Sequence, residues 1–103
     1  MVTNRQALSM YKVFNKDFFG NKLPKDMIVF FKNAGDCLGF TQIIRGRPLY
    51  IVLDRSIRTS NRTVAMTLLH EMVHVKHPDI GHGKTFHREM LRLAKAGAFK
   101  SWW

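Results

Sequence analysis

The residues best suited to chemistry in this sequence are His70, Glu71 and His74, in the run His-Glu-Met-Val-His. On an α-helix, residues four apart lie one turn apart on the same face, so the two imidazoles can share one metal ion. Glu71 is rotated by about 100° from His70, too far round to be a third ligand. It can still reach a water held by the metal. Two imidazoles and a carboxylate base at this spacing form the arrangement of hydrolytic zinc sites, in which one coordination position stays open for water. All five histidines fall between His70 and His87, and both glutamates lie in or beside that stretch, Glu71 within it and Glu89 two residues past its end.

Such a site needs a third protein ligand. His77 lies seven residues after His70, about 10 Å along a helix, too far to close on the same ion. The residue six after His74 is Ile80, which has no ligand atom. His82, Glu89 and His87 remain, and His82 is favoured. It stands between Gly81 and Gly83, where the chain can turn back sharply. Projected onto the helix that follows, it aligns with Phe86, Met90, Leu93 and Gly97, the face expected to pack inward, whereas His87 is rotated off that face. His77 and His87 are expected to be exposed polar residues.

The elements that must position these residues follow from periodicity and stop signals. A helix is expected from about Arg62 to His77, capped by Ser60 or Asn61 and ended by Pro78. Its apolar stripe is Ala65, Leu68, Leu69, Met72 and Val75, with His70 and His74 nearly opposite. After the loop Asp79-Ile80-Gly81, a last helix runs from about Gly83 to Ala96 and closes at Gly97. Upstream, Ala7, Tyr11, Phe14 and Phe18 recur at helical spacing and predict a helix over Asn4–Phe19, stopped by Gly20-Asn21 and Pro24. Met27–Phe31, Cys37–Ile44 and Leu49–Leu53 read as strands, the last two forming a hairpin about Arg45-Gly46-Arg47-Pro48. Asn33–Asp36 is a turn and Asp54–Asn61 a polar connection. Helix, three strands and two helices make an α+β fold in a single domain over residues 1–103.

Composition narrows the function classes. A hydrophobic share of 46% with eight Phe can fill a core, which argues against a disordered chain. Cys37 is the single cysteine, so internal disulfides and all-cysteine zinc sites are excluded; it is expected to be a small buried strand residue. The unbroken apolar runs reach only five residues, too short for a membrane span, and Met1–Arg5 is not apolar. An intracellular protein is expected, in cytoplasm, nucleoid or nucleus. Seventeen Lys and Arg against seven Asp and Glu give a net charge of +10, which favours nucleic acid as a partner. Lys84, Arg88, Arg92 and Lys95 form a stripe on the last helix. Arg45 and Arg47 lie at the hairpin turn, and Arg55, Arg58 and Arg62 lead into the histidine helix. Trp102 and Trp103 either stack on bases or dock on the core. An extended peptide is expected to pair with an exposed edge at Leu49–Leu53, with Tyr50 a candidate to steady an oxyanion.

The sequence resembles the SprT-like metallopeptidase family, which includes the Spartan DNA–protein crosslink proteases. Phe14-Asn15 and Phe18–Pro24 resemble its opening segment, and Thr67–His74 its catalytic helix. Gly81–Phe86 resembles its third-ligand motif, His-Gly-x-x-Phe, and Leu93–Ala98 its usual ending. The resemblance implies a zincin-like minimal metallopeptidase with one zinc ion on His70, His74 and His82, and Glu71 as catalytic base. It also implies peptide hydrolysis linked to DNA. The loop between His74 and His82 is shorter than in many relatives, and no cysteine after Cys37 could build the zinc ribbon some of them carry. DNA contacts are therefore expected from Arg45, Arg47, Lys84, Arg88, Arg92 and Lys95. The expected function is a zinc-dependent endopeptidase using a metal-activated water on DNA-associated or DNA-crosslinked proteins. The alternative is a DNA-binding module or protein-interaction adaptor with a structural or residual zinc site, in which Glu71 would have no task.

Overall fold

The computed structural model describes residues 1–78 and 81–99. Thr3 starts the first helix, α1 (Asn4–Phe18), through a reciprocal cap: its hydroxyl accepts from the Gln6 N–H and the Gln6 side chain accepts from the Thr3 N–H. Ala7, Tyr11 and Phe14 form the buried face. The buried Asn15 amide donates to Leu23 O and accepts from Leu23 N–H, folding the connection back along the helix and leaving no orphaned polar group there.

Three strands follow: β1 (Ile28–Lys32), β2 (Gly39–Ile44) and β3 (Arg47–Asp54). Their order is β1-β3-β2, with β3 antiparallel to β2 and parallel to β1. Arg45 and Gly46, both at positive φ, close the β2–β3 hairpin, the geometry that matches strand twist in a two-residue turn. Leu49–Leu53 is therefore central and not an edge. Ile51 and Leu53 are buried towards the helices, and Val52, also buried, points to the opposite face. A strand apolar on both faces gains most in the middle of the sheet, where both rows of its backbone groups are paired. The edges of the sheet are β1, which packs against α1, and β2, which lies beside α2. Cys37 is also not as expected: the turn after Asn33 extends through Leu38, leaving the cysteine exposed ahead of β2, its thiol donating to Ala34 O.

The polar connection contains an unexpected 3-10 helix, Arg55–Thr59, capped by the Asp54 carboxylate, which also accepts from Ala34 N–H. Ser60 caps α2 (Asn61–Lys76), accepting from Thr63 N–H at 3.1 Å. The last helix, α3 (Lys84–Lys95), opens on Gly83 without a side-chain cap. All three helices feed one core on one face of the sheet, where Phe14, Phe31, Ile51, Leu68, Leu69, Met72, Phe86 and Leu93 meet. The fold is α+β, and every expected element lies within two residues of its observed bounds. Among the described residues no helix is long and apolar enough to cross a membrane.

Candidate metal centre

The apolar stripe of α2 (Ala65, Leu68, Leu69, Met72 and Val75) is buried, together with Val64 and Val73. His70 and His74 stand on the remaining side. The bend before α3 carries His82 back to them. Its Nε2 lies 3.1 Å from His70 Nε2 and 3.2 Å from His74 Nε2, and the three ligand atoms fall within 4.8 Å of one another. A tetrahedral ion bound at about 2.0–2.1 Å holds its ligand nitrogens roughly 3.3 Å apart, so the three fit one zinc-sized cation. Burial, with the nearby His74 and His82, pushes His70 down to about 4; burial and His82 also lower His74. Neutral imidazole is the form that binds metal. The Phe86 ring supports all three, with centroids 4.7, 5.2 and 4.9 Å from His70, His74 and His82.

Glu71 is buried, at 5% exposure, beside the histidines. Its Oε2 lies 3.9 Å from His70 Nε2, and its Oε1 accepts from the Thr41 hydroxyl at 2.9 Å. Burial raises the carboxyl pKa while the Thr41 bond opposes the rise. Thr41 comes from β2, which approaches α2 this closely because of Gly39. A Cβ at residue 39 would lie 2.9 Å from Val52 O and 3.0 Å from Thr67 Cγ2. Neither Gly39 nor Thr41 stands out in the sequence as a functional residue. The signal available was their alternation, which places a missing side chain and a hydroxyl on one face of a strand. In front of the histidines and Glu71 opens a cavity of about 800 Å³, with apolar walls that include Leu38, Ile43, Met66, Met90 and Phe99.

A family model for the SprT-like family matches residues 7–101. The chain belongs to the SprT-like family. Its structure is similar to the crystal structure of the metallopeptidase zymogen of Pyrococcus abyssi abylysin, with a TM-score of 0.67 and 18% sequence identity over 93% of this chain and 87% of that one. No curated protein matches the sequence. The likeness in fold, with membership of this family, supports a peptidase at the level of the family.

The other candidate ligands of this SprT-like protein are placed differently. Glu89 is surrounded by cations: both carboxylate oxygens accept from Lys76 Nζ at 3.1 Å, and Oε2 accepts from Arg92 at 3.1 and 3.3 Å. Burial alone would raise its pKa; Arg92 and Lys76 outweigh burial and hold it below the usual value. His87 is exposed, edge-on to Phe86, and outside the cluster. His77 departs from expectation. It is half-buried at the C-cap of α2, its Nε2 shielded, without a hydrogen bond among the described residues, and 3.9 Å from Glu89. Pro78 holds the His77 backbone outside the helical region and ends the helix there.

The basic residues divide in a similar way. Lys84, Arg88 and Lys95 are exposed on α3, and Arg45 and Arg47 at the hairpin. Arg92 is committed to the fold: besides Glu89, it donates to Phe18 O at 2.7 Å and lies over the Phe19 ring. Arg58 likewise donates to Val2 O and covers Phe31. Tyr50 packs against Phe30, its ring 5.5 Å away, on the sheet face opposite the helices. It does not line the cavity. Trp102 and Trp103 lie outside the described residues.

Proposed function

We propose that this SprT-like protein is a zinc-dependent endopeptidase acting on DNA-associated or DNA-crosslinked proteins inside the cell. The observation that carries the reading is the meeting of three imidazole nitrogens with a buried carboxylate whose second oxygen faces them. His70, His74 and His82 would hold one zinc per chain. When bound, zinc supplies Lewis acidity to the scissile carbonyl and to water. Glu71 Oε2 takes the proton of the attacking water and returns it to the departing amine. Burial of Glu71 suits this task, because a raised pKa eases both transfers near neutral pH. An extended substrate adds to the free edge of β2 by main-chain hydrogen bonds, with side chains entering the apolar cavity. The net charge of +10 supports DNA as the partner, with Arg45, Arg47, Lys84, Arg88 and Lys95 the exposed contacts.

The test is to incubate zinc-loaded protein with casein and with a DNA–protein crosslink, with and without DNA, and to identify products by mass spectrometry. Cleavage lost in Glu71→Gln with zinc retained, and stimulated by DNA on the crosslink, is the expected result. Zinc and DNA binding with no hydrolysis of either substrate would instead establish a binding module with a structural zinc site.

A further inference from the structure

We infer that Thr41 is a positioning residue for Glu71, fixing the carboxylate so that one oxygen is held by the sheet and the other is aimed at the histidine cluster. The inference rests on the peptidase reading above. Glu71 projects from α2 with three rotatable side-chain torsions, and burial removes the water that could otherwise satisfy its oxygens. Among the described residues, the hydrogen bond that orients the carboxylate comes from Thr41, whose Oγ1 is 2.9 Å from Oε1 and 3.3 Å from the backbone carbonyl of the same glutamate. Both contacts fix one hydroxyl against one residue. The Oε2 atom is the one 3.9 Å from His70 Nε2.

The strand behind Thr41 is built to hold that hydroxyl in place. Thr41 pairs with Ile51 on the central strand, and Ile51 is fully buried in the core. Thr41 is β-branched, so its χ1 is stiff. Gly39, two residues earlier on the same face, removes the Cβ that would push β2 away from Thr67 of α2. The aim of the base is therefore set by the sheet, through a contact thirty residues away in sequence. Because β2 is also an edge strand, substrate pairing and base orientation share one strand.

The test compares Thr41→Val, which keeps the shape and loses the hydroxyl, with Thr41→Ser, which keeps the hydroxyl. Thr41→Val should lower kcat about 10- to 100-fold, the scale expected for a misaimed catalytic group. KM should stay within about twofold, since transition-state and not ground-state interactions are lost. Zinc stoichiometry should stay near wild type, while the melting temperature should fall in Thr41→Val, which leaves buried Oε1 without its donor, and recover in Thr41→Ser. Thr41→Ser should recover most of the rate. In a Glu71→Gln background Thr41→Val should add nothing, because the two residues act as one unit. A second readout does not depend on turnover: crystals of Thr41→Val should show the Glu71 carboxylate rotated from its wild-type position. Wild-type kcat in Thr41→Val, equal slowing in Val and Ser variants, or an unmoved carboxylate would each overturn the assignment. An inactive wild-type enzyme would defeat the peptidase reading instead, and the carboxylate position would still decide the role of Thr41.

Discussion

Two polar clusters flank the junction of α2 and α3, each containing histidine and glutamate, and they are built for opposite purposes. In the first, His70, His74 and His82 converge, and Glu71 is held by a neutral threonine. In the second, Glu89 is enclosed by Lys76 and Arg92, with His77 beside it. A carboxylate already neutralised by two cations has little to offer a metal ion or a proton. A buried carboxylate with one neutral donor keeps both its basicity and a free oxygen. The charges packed against histidine and glutamate side chains thus set whether they can still take up a metal ion or a proton. The second cluster acts as a clamp, since Arg92 also holds the end of α1 through Phe18 O.

Breaking the first cluster should have the largest effects. His70→Ala, His74→Ala and His82→Ala should each lose most bound zinc and all detectable hydrolysis, while His77→Ala and Glu89→Gln keep the metal. Full zinc occupancy in His82→Ala, read by metal analysis, would erase the distinction between the clusters. Next in size is Glu71→Gln, which should retain one zinc and lose about 10²–10⁴ in rate. Turnover near wild type in a clean preparation would show that the buried carboxylate is not the base.

Breaking the second cluster should change stability instead. Glu89→Gln should cost about 1–2 kcal/mol in urea unfolding at neutral pH, because Lys76 and Arg92 lose their shared anion. The sign with pH follows from the depressed folded-state pKa of Glu89. Its contribution is fully present above the ordinary glutamate range and is lost as pH falls through the depressed value. The gap between wild type and Glu89→Gln should therefore close on acidification, and a gap that widened would place the stabilising proton on the wrong side. The smallest effect on either cluster should come from the outer face of α3. Lys84, Arg88 and Lys95 replaced together by Ala should weaken DNA binding alike for unrelated sequences and flatten the salt slope by up to about 3. Zinc content and hydrolysis of a short free peptide should be unaffected. Arg92 is left intact because its removal would also release the clamp. Fluorescence anisotropy showing unchanged DNA affinity would move the nucleic-acid surface elsewhere.

Much of this arrangement was legible in one dimension, because helix geometry is local. The four-residue spacing puts His70 and His74 on one face whatever surrounds them, and Ala65, Leu68, Leu69 and Met72 mark the side that must be buried. Ser60, Pro78 and the Gly-bounded bends likewise act over a few residues, which is why element bounds were readable. The position of β3 was not, because a short apolar run looks the same at an edge and in the middle of a sheet. Its place depended on β1 returning to pair with it in parallel. Arg92 and His77 depart from the sequence pattern for a related reason: each looks solvent-facing on its own element and is met by a neighbouring one.

The sequence by itself determined the chemical inventory, two imidazoles one turn apart with a carboxylate between them, and the α+β order of elements that carries it. Only the tertiary structure decided which of the remaining residues joins them. His82 reaches His70 and His74 because the chain reverses between α2 and α3, while Glu89, one helix turn further into α3 than Phe86, meets Lys76 and Arg92. The same holds for Thr41, an ordinary strand residue until Gly39 lets α2 settle against β2. Periodicity fixes directions within an element, but the partners found in those directions depend on packing between elements distant in sequence.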